Sequence, residues 1–310
     1  MSDVSAIRAR LGRHPAGMHR LGEPARLLDA ELPASLAAVY RELDGGELFH
    51  ETLVLFPSHE LRVEEGVIRV GEVDGDELTV AADSGEVWRL EADTGERVPE
   101  GTGLDRWLAG FVAAEETLYG DDGEFRDGVF TEDGDLVPEA AEARERAAVK
   151  RDRGAVGPRW RLSRALARLG RLEKARDELE EVVASRPDFG WALYDLARLS
   201  ERLGDLEAAQ ADAEAAGEAD PDYEYAGLFF AHAARIAARR GDEAARRVLA
   251  GRAQDAWPDL ARAQREGAAE RLEEGAIDEA RELLDVALAL APRDLKALEL
   301  SRRIESGASD

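Results

Sequence analysis

The chain has 310 residues, 44% hydrophobic and 35% charged, with a formal net charge of −26 and no cysteine. It is long enough to bury a core in about two domains, and the missing cysteine excludes disulfides, thiolate metal sites and cysteine nucleophiles while fitting a reducing compartment. The negative field disfavours nucleic acid and anionic membranes as partners, no apolar run reaches the roughly 20 residues that cross a bilayer, and the start MSDVSAIRARLGRH lacks the apolar stretch of a signal peptide, so a cytoplasmic protein that binds other proteins is expected.

Residues 1–20 carry four arginines and a local charge of +3. They are expected to be an N-terminal segment without firm structure, able to dock on an acidic neighbour. LPASLAAVYRELDGG, residues 32–46, reads as one amphipathic helix: Pro33 suits a first turn, Leu36, Val39, Tyr40 and Leu43 share a face, and Gly45 offers a left-handed cap. Four short strands follow in ETLVLFPS, LRVEEGVIRVG, DELTVAAD and GEVWRLEADTG, with turns at Glu65–Gly66, Asp74–Gly75, Ser84–Gly85 and Thr94–Gly95. GLDRWLAGFVAAEETLYG then returns to helix. The order predicts an α+β domain over 21–119, an antiparallel sheet with flanking helices. That span holds 7 lysines and arginines against 23 acidic residues, a net −16; residues 121–145 add −8, whereas 146–310 are nearly balanced at −5.

Residues 120–137 read as an acidic, turn-rich connector. A calcium loop does not fit there: its spacing needs acidic residues at the first, third and fifth places and glycine at the sixth, and counting back from Gly134 puts Val129 first and Thr131 third.

Residues 138–310 repeat. Gly170, Gly204, Gly241 and Gly275 are each followed 17 residues later by a proline, namely Pro187, Pro221, Pro258 and Pro292. Five residues after three of the glycines stand Ala175, Ala209 and Ala280, with Arg246 as the exception. Each unit reads as helix, glycine turn, helix, proline, most clearly in RWRLSRALARLGRLEKARDELEEVVASRP, and the period of about 34 residues predicts an all-α solenoid. Four repeats follow a half-repeat helix near Pro138–Arg151, and DLKALELSRRIESG caps the array.

These repeats resemble the tetratricopeptide repeat in period, turn glycine, small residue and terminal proline. The third departs from it in length and at Arg246, which puts its helix angle in question. In the first half, ELPASLAAVYRELDGGE, IRVGEVDGDELTVAADSGEVWRLEADTGE and LDRWLAGFVA resemble the SUKH superfamily of Smi/Knr-type domains. That resemblance implies a non-catalytic binding module, in bacterial members often an immunity protein that neutralises a toxin, and makes Gly45 and Gly46 the corner between helix and sheet.

The tetratricopeptide resemblance also implies a concave groove lined from positions 2, 5, 9, 12 and 13 of each first helix. With the turn glycine as position 15, position 9 is Arg164, Arg198 and Arg235, and position 13 is Arg168, Arg202 and Arg239; position 5 adds Trp160 and Tyr194. Guanidinium forks beside aromatic rings suit an acidic peptide. Three readings stay open: a groove site, a solvated surface with arginines paired to neighbours such as Glu201, and a groove occupied by the connector. Glu72, Asp74, Asp76 and Glu77 are candidates to face a basic partner such as a toxin, or are simply a solvated hairpin. His14, His19, His50, His59 and His232 have no metal-ligand spacing, nucleophile-elbow and phosphate-loop patterns are absent, and no cofactor is expected. The reading is a non-catalytic adaptor with protein partners, or alternatively an immunity protein acting by direct binding.

Overall fold

The computed structural model describes residues 3–25, 32–92 and 95–306. Thr94, expected in a turn, lies outside them. The chain forms two compact units, residues 1–171 and 172–310, with thirteen α-helices among the described residues.

In the first unit, α1 (Asp3–Leu11) and β1 (Arg20–Leu21) precede α2 (Ala34–Tyr40), followed by β2 (Gly46–Leu48), β3 (Leu53–Leu55), β4 (Val63–Glu64), β5 (Val67–Val73), β6 (Asp76–Ala81), β7 (Val87–Leu90) and β8 (Arg97–Gly101). The strands pair antiparallel in the order β1-β2-β3-β5-β6-β7-β8, with β4 beside β5. Glu65–Gly66 and Asp74–Gly75 have positive φ at both residues, the tight turns whose twist matches that of flanking strands. Leu36, Val39 and Tyr40 of α2, with Leu104, Leu108 and Val112 of α3 (Leu104–Glu115), are buried in one core with Leu53, Ile68, Val70 and Leu78 of the sheet.

Three expectations change. Helix α2 stops at Tyr40, and its cap Arg41 keeps right-handed geometry. Gly45, at φ 77°, lies at a corner where a Cβ would fall 2.9 Å from the Pro57 nitrogen, so it admits a close chain crossing and caps nothing. Residues before Leu21 belong to the domain: Ile7, Leu11 and Met18 are core residues, β1 pairs with β2, and both oxygens of Glu116 accept from Arg10. A basic amphipathic helix beside an acidic surface has both an apolar and an electrostatic reason to dock. The connector is likewise folded, into two small hairpins bridged at Tyr119–Phe125 and Phe130–Leu136, with Val129 and Leu136 against the core.

The first unit also takes up the start of the repeats. Helix α4 (Pro138–Arg151) packs on α3, and α5 (Val156–Arg168) packs on α4 and β8. A buried charge network joins them. Arg161 donates to Glu100 at 2.5 and 2.9 Å and lies 3.3 Å from Glu145. Arg144 donates to Glu115 at 2.7 Å and to Glu145 at 3.0 Å. Burial pushes the Glu100 carboxyl up, but Arg161, together with Arg89 and Trp107, outweighs it and holds it below the usual range; burial wins at Glu115, which is raised. Asp152 accepts from the Thr102 amide at 2.8 Å.

The second unit runs α6 (Leu172–Ser185), α7 (Gly190–Arg202), α8 (Leu206–Ala219), α9 (Ala226–Arg240), α10 (Glu243–Ala256), α11 (Leu260–Glu273), α12 (Ile277–Leu290) and α13 (Leu295–Ser306). Gly204, Gly241 and Gly275 turn the chain at φ 73–87°, and Asp205 and Asp242 accept from the amides of Ala208 and Ala245 as N-caps. Successive helices pack from α6 to α10, but the last repeat joins α9 and α10 chiefly through α12. Arg246 supplies the reason: too large for the slot that alanine fills elsewhere, it donates to the carbonyl oxygen of Ala289 in the last turn of α12 and to Glu243 at 2.7 Å. It caps the oxygen-rich end of that helix.

Close packing of α8 on α9 makes Gly217 sensitive. A Cβ there would fall 2.5–2.8 Å from three ring carbons of Phe230, which is 4% exposed and carries the Arg252 guanidinium on its face. Gly217→Ala is expected to lower stability by about 1–2 kcal/mol, overpacking outweighing its gain of roughly 1 kcal/mol in helix propensity. The urea midpoint checks it, and Phe230→Leu in the same chain should recover most of the loss.

Candidate peptide-binding face

Arg198 and Arg202 stand one turn apart on α7, and Arg235 and Arg239 one turn apart on α9. The two pairs do not fare alike. Arg235 donates to Glu201 at 2.5 Å, Arg239 binds the other Glu201 oxygen, and the His232 Nε2 lies 3.4 Å from the same carboxylate. Arg235 also approaches the His232 Nδ1 at 3.3 Å, so that nitrogen accepts and Nε2 carries the proton. Burial, with Arg235 and Arg198 nearby, lowers the His232 pKa to about 3, leaving the ring neutral at physiological pH. Glu201 therefore sits in a receptor of two guanidiniums, with the neutral His232 ring beside it and its buried Nε2 without a hydrogen-bond partner among the described residues. Arg198 is exposed and makes no hydrogen bond or ion pair among the described residues.

Tyr194 is half-buried, edge-on to His232 at 5.1 Å, and burial raises its hydroxyl pKa. It belongs to a ring cluster that the sequence reading left out. Trp191 donates to the Tyr223 hydroxyl at 3.0 Å and packs edge-on against Phe229 at 5.1 Å, with Tyr225 at 5.5 Å. Trp191, Tyr194 and Phe229 are placed by the same two helices as the arginines, with Tyr223 and Tyr225 in the segment that leads into α9.

The remaining predicted residues lie in the first unit. Trp160 is 6% exposed, so its ring is committed to the packing of α5 and offers only the face under Arg164, at 5.1 Å. Arg168 is exposed, with its Nη2 3.4 Å from the connector carbonyl of Leu136. In the hairpin, Glu72 and Glu77 pair with Arg69 at 2.6 and 3.0 Å, and Asp76 pairs with Arg89 at 2.5 Å. Asp74 alone of the four is exposed without such an ion pair, because the antiparallel register sets Glu72 opposite Glu77 with Arg69 beside both. Among the described residues no three metal-ligating side chains converge, and no helix is long and apolar enough to cross a membrane.

Residues 158–189 and 192–223 match the tetratricopeptide repeat family model. Tetratricopeptide repeats mediate protein–protein contacts, and the helical array here resembles such a solenoid. Solved structures similar to it include YrrB, described as a tetratricopeptide protein with an unusual peptide-binding site, at 19% identity over 53% of this chain and 84% of that one, TM-score 0.36. The thermophilic protein TTC0263 of Thermus thermophilus is 23% identical over 55% and 89%, TM-score 0.36. Pseudomonas aeruginosa pilF is 16% identical over 55% and 76%, TM-score 0.39. No curated protein matches the chain.

Proposed function

We propose that this chain is a non-catalytic adaptor whose tetratricopeptide repeats take an acidic peptide on the face of α7 and α9 bearing Arg198, Arg202, Arg235, Arg239 and Tyr194. The observation that carries the reading is Glu201: a carboxylate already lies among the guanidiniums of Arg235 and Arg239 and the imidazole of His232, which is what a ligand carboxylate would require of the same surface. Arg198, on the neighbouring helix, supplies a charge for a second ligand group. Arg164 and Arg168 hold the equivalent positions on α5, as basic surface of the first unit.

Fluorescence anisotropy of a labelled polyglutamate peptide tests it. Binding should weaken at least tenfold on Arg198→Glu/Arg235→Glu and fall steeply with salt, while a polylysine peptide should not bind. Equal affinity of both chains for polyglutamate would overturn the reading.

The resemblance of residues 21–119 to SUKH domains, with their net −16, supports a second reading, an immunity protein that blocks a basic toxin. Its hairpin candidates reduce to Asp74, since Glu72, Asp76 and Glu77 are paired within the domain.

A further inference from the structure

Two phenylalanines of the connector are held in the open. Phe125 is 48% and Phe130 38% exposed, and their rings meet edge-on at 4.8 Å. Both sit on fixed backbone. Tyr119 bridges Phe125 and Phe130 bridges Leu136, the Arg126 amide donates to the Leu118 carbonyl at 2.8 Å, and the Val137 amide donates to the Val129 carbonyl at 2.9 Å. Tyr119 stacks on one face of Phe125 at 4.4 Å and leaves the rest of that ring to solvent. The stretch gives Val129 and Leu136 to the core and keeps its two larger apolar side chains outside, so folding leaves much of its apolar surface in water.

The surround is acidic. Asp121, Glu124, Asp127, Glu132, Asp133 and Asp135 are exposed, and none of their carboxylates makes a hydrogen bond or ion pair among the described residues; Arg126 is the one cation between Gly120 and Val137. Elsewhere in the unit such carboxylates find a cation: Glu72 and Glu77 share Arg69, and Glu142 holds Arg146 and Arg171. Unmatched carboxylates around an apolar pair repel a second copy of the same patch and any anionic surface, and attract a cation. Charge alone at exposed positions is screened and contributes little. The rings add an apolar contact and a face for a cation.

The same unit already holds a segment of the complementary chemistry at another place. Helix α1 carries Ile7, Arg8, Arg10 and Leu11; Ile7 and Leu11 enter the core, while Arg10 pairs with Glu116 and Arg8 lies 3.9 Å from Glu23.

We propose that the Phe125–Phe130 pair is the docking surface for a basic polypeptide segment that carries an apolar residue among its lysines or arginines, the apolar side chain against the two rings and the cations over the surrounding carboxylates. It shares no residue with the arginine face of α7 and α9, so it stands or falls apart from the peptide-binding reading.

Fluorescence anisotropy of a labelled Lys-Leu-Lys-Lys-Leu-Lys peptide with the full chain tests it, beside hexalysine and Ser-Leu-Ser-Ser-Leu-Ser. The leucine–lysine peptide should bind, more weakly as salt rises; hexalysine, with charge and no apolar anchor, and the serine peptide, with the anchor and no charge, should each bind at least tenfold more weakly. Phe125→Ser/Phe130→Ser should weaken the leucine–lysine peptide about tenfold or more. Phe130→Ser alone leaves the Phe125–Tyr119 stack in place and should weaken it about threefold with an unchanged urea midpoint, which separates lost docking from lost fold. Asp127→Asn/Glu132→Gln should lower affinity and flatten its salt dependence. Arg198→Glu/Arg235→Glu should leave affinity within about twofold of the parent, as expected of independent sites. No binding of the leucine–lysine peptide, equal binding of hexalysine, ring variants that bind as the parent does, or a dimer in sedimentation velocity that Phe130→Ser dissociates, which would make a second copy the occupant, would each overturn the assignment.

Discussion

Replacing Arg161 by methionine is expected to destabilise the first unit by about 3–5 kcal/mol, the cost of removing one partner from a buried ion pair. Glu100 is 2% exposed and Glu145 4% exposed, and both lose their shared cation. The loss should depend on pH. In the parent chain the Glu100 pKa is held below its usual value, so its contribution is present above the ordinary carboxylate pKa and disappears as pH falls through the lowered one. In the variant, burial without Arg161 raises that pKa, so the folded form keeps a proton that the unfolded form has released. Destabilisation then grows from pH 5 to pH 8, and denaturant melts at the two values measure it. Adding Glu100→Gln should recover part of the loss at pH 8 and less at pH 5. Equal destabilisation at both pH values would mean that Arg161 acts through packing alone. The same network predicts that a fragment ending at Arg171 unfolds cooperatively, whereas one ending at Val137, which uncovers Glu100, Glu115 and the α4-facing side of α3, does not.

The repeats were legible because each turn glycine has one geometric task, a left-handed φ between two helices, and the array repeats that task at a nearly fixed spacing. Arg246 broke the pattern in the sequence, and the α9–α12 packing shows its consequence. The sheet was legible from its Glu-Gly and Asp-Gly turns. Other features were hidden for identifiable reasons. No local pattern assigns α4 and α5 to the sheet domain, since Arg161–Glu100 spans 61 residues and carboxylates are too common here for any pair to stand out. The end of α2 at Tyr40 was obscured because Leu43, though outside the helix, is buried at 2% exposure and continues its apolar spacing. Trp191 occupies position 2 of its repeat, so the numbering that found Tyr194 also contained the rest of that ring cluster's anchor. His14 meets His19 at 2.7 Å and, across 102 residues, Glu116 at 3.1 Å, and His14 with His19 gave no recognisable spacing.

Glu201 decides how far the arginine face is available. A side chain that satisfies Arg235 and Arg239 internally also competes with any carboxylate a partner brings, so Glu201→Gln should raise affinity for polyglutamate about tenfold while lowering stability by roughly 1.5–3 kcal/mol, the worth of a hydrogen bond to a charged group. Glutamine preserves volume and one acceptor, which keeps α7 and α9 packed while removing the negative charge. Arg235 is 13% exposed at its side chain and Arg239 48%, so the released guanidiniums differ: Arg239 can turn toward a ligand freely, whereas Arg235 stays in place as a preformed partner. Pairing Glu201→Gln with Arg235→Gln should therefore cancel the gain, a non-additivity that two independent surface charges would not produce. If Glu201→Gln weakens binding as it weakens the fold, the glutamate is a scaffold for the arginines; if binding strengthens while stability falls, it is an internal substitute for the ligand.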